Sequence, residues 1–239
     1  RVSNASTATG DITGDILFGS TTGTQVNVLE NFNSVFGITG DISSAGALDV
    51  NNAGTITGNL SSTGDTTIGN SGTLTGDITL GGGDDTIDNT GTFTGNVDMG
   101  AGTNVFNANS GAAFPTGSLT ADVAGDSTLN LGTGGGTIGA VTNFDVMNVD
   151  AGVGVVWTAG GPVSFSEQIN VNSRLLATPD ADFLGANTIV NNGTTPGQEG
   201  LLFLSNSDGT YSGNMSGTGV VHIGFGGAGV TTFSGTNTY

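Results

Sequence analysis

Four segments of the chain are near copies of one another: "GITGDIS" from Gly37, "GTITGNLS" from Gly54, "GTLTGDIT" from Gly72 and "GTFTGNVD" from Gly91. Their central glycines, Gly40, Gly58, Gly76 and Gly95, are 18, 18 and 19 residues apart. A second landmark, Asn-x-Gly, keeps step at Asn52, Asn70, Asn89 and Asn109, at intervals of 18, 19 and 20. A unit of this length is too short for a pair of helices, but it suits three short strands of about five residues, each followed by a turn. A lone rung of this kind cannot bury its apolar side chains. Stacking rungs about 4.8 Å apart gives every strand a parallel partner and every side chain a neighbour above and below. The expected fold is therefore all-β, a right-handed parallel β-helix (β-solenoid) of about 18–20 residues per rung, running as one solenoid through residues 1–239 with regular rungs at 37–111.

Alternation within the repeat assigns directions to the side chains. Ile38, Ile56, Leu74 and Phe93 form one inward column, and Ile42, Leu60, Ile78 and Val97 another, with the glycine between each pair in the same phase. Thr39, Thr57, Thr75 and Thr94 face outward, as do Asp41, Asn59, Asp77 and Asn96. Alternating acid with amide in that last column roughly doubles the charge spacing from about 4.8 Å towards the Debye length of ~8 Å, and lets each amide bond to its flanking carboxylates. The Asn-x-Gly column reads as a corner, because asparagine tolerates and glycine freely adopts left-handed turn geometry. Its stacked amides can form a ladder along the axis.

Elsewhere the repeat degrades. "NFNSVFGI" from Asn31 recurs as "NFDVMNV" from Asn143, which makes Phe32 and Phe144 matching core residues. Residues 160–200 contain Pro162, Pro179, Pro196 and Arg174 and read as irregular, loop-bearing rungs. The last forty residues return to short strands punctuated by glycine.

Composition limits what such a fold can do. Glycine is abundant (45 residues), yet Val, Ile, Thr and Phe alternate with polar residues, which argues for strands over disorder. The net charge of −18 arises because Arg1 and Arg174 are the only basic residues besides a single histidine. Neutralising phosphate needs Lys and Arg, so nucleic acid is not an expected partner, and an anionic membrane is disfavoured for the same reason. No apolar run approaches the roughly 20 residues of a membrane-spanning helix. The absence of cysteine is compatible with export as an unfolded chain.

Side chains capable of chemistry are few. His222, in "VVHIGF", reads as a strand residue, since no nearby serine has the context of a nucleophile. The acid pairs Asp84/Asp85 and Asp180/Asp182 are of the type that cleaves glycosidic bonds, but turn roles explain them more simply. "LGGGDDTI" from Leu80 matches half of the calcium nonapeptide G-G-x-G-x-D-x-U-x at Gly81, Gly83, Asp85 and Ile87. Its next copy replaces the acid with Asn104, a poorer ligand for calcium. No catalytic, cofactor or metal residue is assigned, and whether calcium binds near Asp84 and Asp85 stays open. The "TIT", "TLT" and "TFT" triplets at Thr55, Thr73 and Thr92 form a flat outward array of the kind that ice-binding solenoids present.

The end of the chain, "GGAGVTTFSGTNTY" at 226–239, resembles the opening of the autotransporter-associated β-strand repeat at Gly227, Gly229, Phe233, Ser234, Gly235, Asn237, Thr238 and Tyr239. Thr231 departs from it at a usual leucine position. "NFDVMNVDAGVGVVWTAG" and "NTGTFTGNVDMGAG" are similar in composition to rungs of such passengers. The resemblance implies a fragment of a longer bacterial passenger domain, extracellular or on the cell surface, carried across the outer membrane by a C-terminal β-barrel. It implies a non-enzymatic structural or adhesive role, with a host, cell or matrix surface (protein or glycan) as partner and end-to-end self-association through open rod ends. The alternatives are a carbohydrate-active β-helix, an ice-binding solenoid and a self-assembling fibre subunit.

Overall fold

A computed structural model describes residues 1–5, 7, 9–20, 24–109, 114–150, 156–172, 176–193, 200–204, 206–224 and 227–238. Arg174, Pro196, Gly226 and Tyr239, named above, lie outside the described residues. The described elements are short β-strands in parallel register, stacked as a β-solenoid, with one 3-10 turn at Ala181–Phe183. Contacts divide the chain into two compact units, one of residues 1–107 with 115–127 and the other of 108–114 with 128–239.

In the first unit each regular rung contributes one strand to each of three faces. Face I stacks Val2–Asn4, Asn27–Asn31, Leu48–Asn52, Thr66–Asn70 and Thr86–Asn89. Face II stacks Ile12–Thr13, Ile38–Thr39, Thr55–Thr57, Thr73–Thr75 and Thr92–Thr94. Face III stacks Ile16–Phe18, Ile42–Ser44, Leu60–Ser62, Ile78–Leu80, Val97–Asp98 and Leu119–Thr120. Both inward columns expected from the repeat are buried: Ile38, Ile56, Leu74 and Phe93, at most 3% exposed, and Ile42, Leu60, Ile78 and Val97, also at most 3%. The four threonines and the four Asp/Asn residues expected to face outward are exposed.

The Asn-x-Gly corner carries a ladder of buried amides. Asn4 Nδ2 donates to Asn31 Oδ1 (2.9 Å), Asn31 to Asn52 (2.8 Å), Asn52 to Asn70 (2.7 Å) and Asn70 to Asn89 (2.7 Å). Each of these four Nδ2 groups also donates to a backbone carbonyl, at Phe36, Thr55, Thr73 and Thr92 respectively. A buried amide left unsatisfied is costly, so a residue that uses both its donor and its acceptor along the axis stabilises each rung only in register with the next. Two members, Asn4 and Asn31, lie outside the regular repeat. The ladder runs from Asn4 to Asn89; on the next strand Asn107 Nδ2 bonds to the outward Asp88 Oδ1 (2.7 Å), so the Asn-x-Gly landmark at Asn109 is out of step with the ladder.

A second corner corrects the expected phase of the central glycines. Gly40, Gly58, Gly76 and Gly95 do not lie mid-strand; they separate face II from face III at φ between +137° and +146°. A Cβ at Gly76 would stand 2.2 Å from the Gly58 carbonyl oxygen, so both dihedral and space demand glycine there. The Asp/Asn column beside them caps backbone: Asp41 N–H donates to Asp15 Oδ1 (2.9 Å), Asn59 to Asp41 (2.8 Å), Asp77 to Asn59 (2.9 Å) and Asn96 to Asp77 (2.8 Å). The expected amide–carboxylate bond occurs at Asn96 Nδ2 to Asp77 Oδ1 (3.1 Å). The main work of this column, however, is to accept the N–H that follows each glycine.

Phe32 is a second correction. It is 46% exposed, whereas Phe144 is fully buried. Asn31 already occupies the inward position, so the next residue in the chain points out.

In the second unit the rungs lengthen. Registered residues Met147, Ile169, Ile189 and Met215 are 22, 20 and 26 residues apart (169 − 147, 189 − 169, 215 − 189). Strands Val141–Val149 and Val163–Val171 pair with two register shifts, and Asn143 near the first takes φ +63°. A second, outward amide ladder runs the opposite way along the chain: Asn170 Nδ2 donates to Asn148 Oδ1 (2.8 Å), and Asn148 to Asn130 (2.9 Å). Buried Trp157 donates through Nε1 to the Gly132 carbonyl (2.8 Å). Phe203, Tyr211 and Phe233 form an aromatic cluster with ring centroids 5.1 to 6.1 Å apart.

Replacing Asn70 with leucine leaves one Asn52 Nδ2 hydrogen without its acceptor, while the Asn89 side-chain oxygen keeps its bond from Gly91 N–H (3.3 Å). At about 1–3 kcal/mol per buried unsatisfied group, the loss is expected to be roughly 1–3 kcal/mol. Asn59→Ala, in the exposed capping column, is expected to cost about 1 kcal/mol or less. Urea midpoints of the two variants measure the difference.

Candidate functional site

Along face I, alternate residues project outward as pairs, one pair per rung: Val28 and Glu30, Asp49 and Asn51, Thr67 and Gly69, Thr86 and Asp88. The backbone groups of these strands bond to the rungs above and below, so the face offers side chains to a ligand and no free strand edge. Glu30 is tied to Arg1, whose Nε donates to Glu30 Oε2 at 3.1 Å, and this bond holds the Glu30 carboxyl below the usual carboxylate range.

Gly69 interrupts the outward rows. Its missing side chain opens a cleft of about 280 Å³ above Asn51 and Asp88, rimmed by Phe32, Ser71 and Thr90. A second cleft, of about 460 Å³, lies on the same strands towards the other corner, lined by Gln25, Val26, Asp49, Asp65 and Thr67 among others. Asn107 holds Asp88 in place, and Asn51 Nδ2 stands 3.5 Å from Asp49 Oδ1. The face thus brings together carboxylates, amides, hydroxyls and one exposed aromatic ring. The sequence alone does not mark this face, because the repeat matches Phe32 to a core residue and Gly69 belongs to neither repeat landmark. The available signal was Gly69 itself, standing in an outward position that holds Asn51 and Asp88 on the neighbouring rungs.

The fold splits one acid pair and holds the other in a single turn. Asp84 is exposed and accepts from Thr103 N–H (2.9 Å), whereas its neighbour Asp85 is fully buried. One side chain faces the surface and the other the interior, so these two carboxyls share no site. Asp180 caps the 3-10 turn by accepting from Asp182 N–H (2.9 Å) and also accepts from Ser207 Oγ (2.7 Å), and Asp182 accepts from Thr210 N–H (2.6 Å). Both are turn residues, as their setting in the sequence indicated. His222 is exposed on the strand Val221–Ile223, opposite Leu202. Among the described residues, no group of three His, Cys, Asp or Glu side chains is arranged to hold a metal ion.

Asp85 belongs to an interior polar column, Thr66, Asp85, Asn104 and Ser127, all buried. Its Oδ1 accepts from Thr66 N–H (2.7 Å), and its own N–H donates to Asn104 Oδ1 (3.1 Å), but its Oδ2 has no partner. Burial pushes this carboxyl from 3.8 up to about 7; its bonds from Thr66 pull it down, and repulsion from Asp65 and Asp84 adds to the rise.

No protein-family model, curated protein or solved structure matches the chain, so its class rests on its own geometry: a parallel β-solenoid with a repeated polar interior and a cleft-bearing outer face.

The Asp85 shift has a definite sign. The folded chain keeps a proton that the unfolded chain releases near pH 3.8, so this contribution is fully present below 3.8 and is lost as pH rises through about 7. Melting temperatures of Asp85→Asn and the parent chain, taken from about pH 4 to pH 8, are expected to diverge. The variant should be the more stable above pH 7, and the difference should shrink towards pH 4.

Proposed function

We propose that the chain is a non-enzymatic, extracellular display solenoid, a structural or adhesive passenger of the kind that bacterial autotransporters carry, with a host, cell or matrix surface as its partner. One observation carries this reading. The inward positions on face I repeat from rung to rung, as apolar residue then asparagine, while the outward pairs beside them change: Asp49 and Asn51, then Thr67 and Gly69, then Thr86 and Asp88. A constant interior with a varied exterior is what a scaffold for surface recognition requires. Phe233, from the segment that resembles the autotransporter-associated repeat, packs its ring 5.1 Å from Phe203, which supports treating that segment as a further rung. Beads coated with the chain are expected to bind epithelial cells or extracellular matrix more than beads coated with a charge-matched control, and equal binding would refute adhesion. On the same reading, the encoding gene continues beyond Tyr239 into a β-barrel.

A second reading rests on face II. Thr55, Thr73 and Thr92 stand in register with one another, as do Thr57, Thr75 and Thr94, forming a net of about 4.8 by 7 Å on parallel strands. Such a net suits an ordered water lattice. Thermal hysteresis lost in Thr75→Lys would support ice binding, and an unshaped crystal in the parent protein would exclude it.

A further inference from the structure

The clefts on face I have a chemistry that narrows the partner, an inference that rests on the adhesive reading above. Carboxylates on or beside this face include Glu30, Asp49, Asp65, Asp84 and Asp88. The nearby cation, Arg1, is already bonded to Glu30. Polyanions such as uronic acid polymers, sulfated glycans and nucleic acids are therefore repelled. At the clefts an extended peptide finds no strand edge to pair with, because the backbone of these strands is bonded between rungs. What remains is a ligand read by side chains alone, rich in hydroxyls, uncharged, and with an apolar flank.

We propose that the cleft over Gly69 binds an uncharged polysaccharide. The half-exposed Phe32 ring offers a flat apolar surface to the C–H side of a pyranose ring. Asp88, held by Asn107, retains acceptor capacity for sugar hydroxyls, and the Asn51 amide offers both donors and an acceptor. Thr67 and Asp49, two residues back along the same strands, lie about 7 Å away, so the second cleft continues the first across the face. The ligand then runs along the strand direction, from the Phe32 corner towards Asp65, and covers more than one sugar unit.

Gly69 makes the proposal testable without unfolding the chain. Its φ is not in the left-handed region, and an added Cβ would meet only the Asn51 amide oxygen, at 3.2 Å, apart from ordinary contact with Val50. Gly69→Thr therefore fills the cleft with a good strand former, and its melting temperature should equal or exceed that of the parent. Calorimetric titration of the full chain would use tetrasaccharides of glucose (β-1,4 and α-1,4), mannose and N-acetylglucosamine, with tetragalacturonate and a heparin fragment as anionic probes. At least one neutral tetrasaccharide is expected to bind. Gly69→Thr and Phe32→Ala should each weaken it by roughly tenfold or more, with the fold intact by circular dichroism. Failure of every neutral probe at about 1 mM, equal binding by Gly69→Thr, or preference for the anionic probes would each overturn the proposal. Adhesion that persists without glycan binding removes this inference and leaves the adhesive reading standing. Glycan binding without adhesion does the reverse.

Discussion

The fold depends on the buried amide ladder, because the ladder makes rung register an interior matter. Apolar stacking alone tolerates sliding, since one isoleucine column packs on another with little regard to small shifts. An asparagine whose acceptor serves the rung before it, and whose two donors serve the rung after it, does not tolerate sliding. The left-handed glycine corner then brings the chain round where a Cβ would strike the preceding rung, and the Asp/Asn column accepts the N–H exposed by that bend. These two corners leave the outward positions of face I free of structural duty. That freedom is what a recognition surface needs, and it explains how carboxylate, glycine and amide can occupy equivalent outward sites.

Asp85 shows the opposite case, chemistry held inside. Within its column, Thr66 Oγ1 donates to the Gly64 carbonyl and Asn104 Nδ2 to the Gly100 carbonyl, each in its own rung, whereas the aspartate leaves one oxygen without a partner. Such a group is a liability of desolvation, and it makes the regular unit lose stability as pH rises from 3.8 to about 7, although its surface carries few basic groups.

Much of this was legible in the sequence, since a period of 18 to 20 residues with strict alternation leaves few architectures. The inward Ile/Leu/Phe columns, the outward threonines and the asparagine ladder all follow from it. What escaped has physical causes. Asn4 and Asn31 belong to rungs 27 and 21 residues long (29 − 2 and 50 − 29), so a fixed period misses them. Their local mark, an apolar residue followed by x-Asn, recurs in "VSN", "LEN", "VNN", "IGN" and "IDN" and would have found them. Phe32 was matched to Phe144 through a shared Asn-Phe pair, but Asn31 is a ladder residue at a corner and Asn143 a left-handed residue within a long strand. The two phenylalanines therefore point opposite ways, and the cleft beside Phe32 stayed hidden. Asp85 was read as a turn because alternation says which residues face inward only when the polar ones stay outside.

Side-chain amide hydrogen exchange, resolved by residue, tests the ladder most directly. If buried, doubly bonded Nδ2 groups hold the register, those of Asn31, Asn52 and Asn70 will exchange as slowly as the backbone amides of the strands they link, and far more slowly than those of Asn59 and Asn96. Exchange of the ladder amides at the rate of the exposed ones would contradict the account, because it would mean that the rungs hold their register without them.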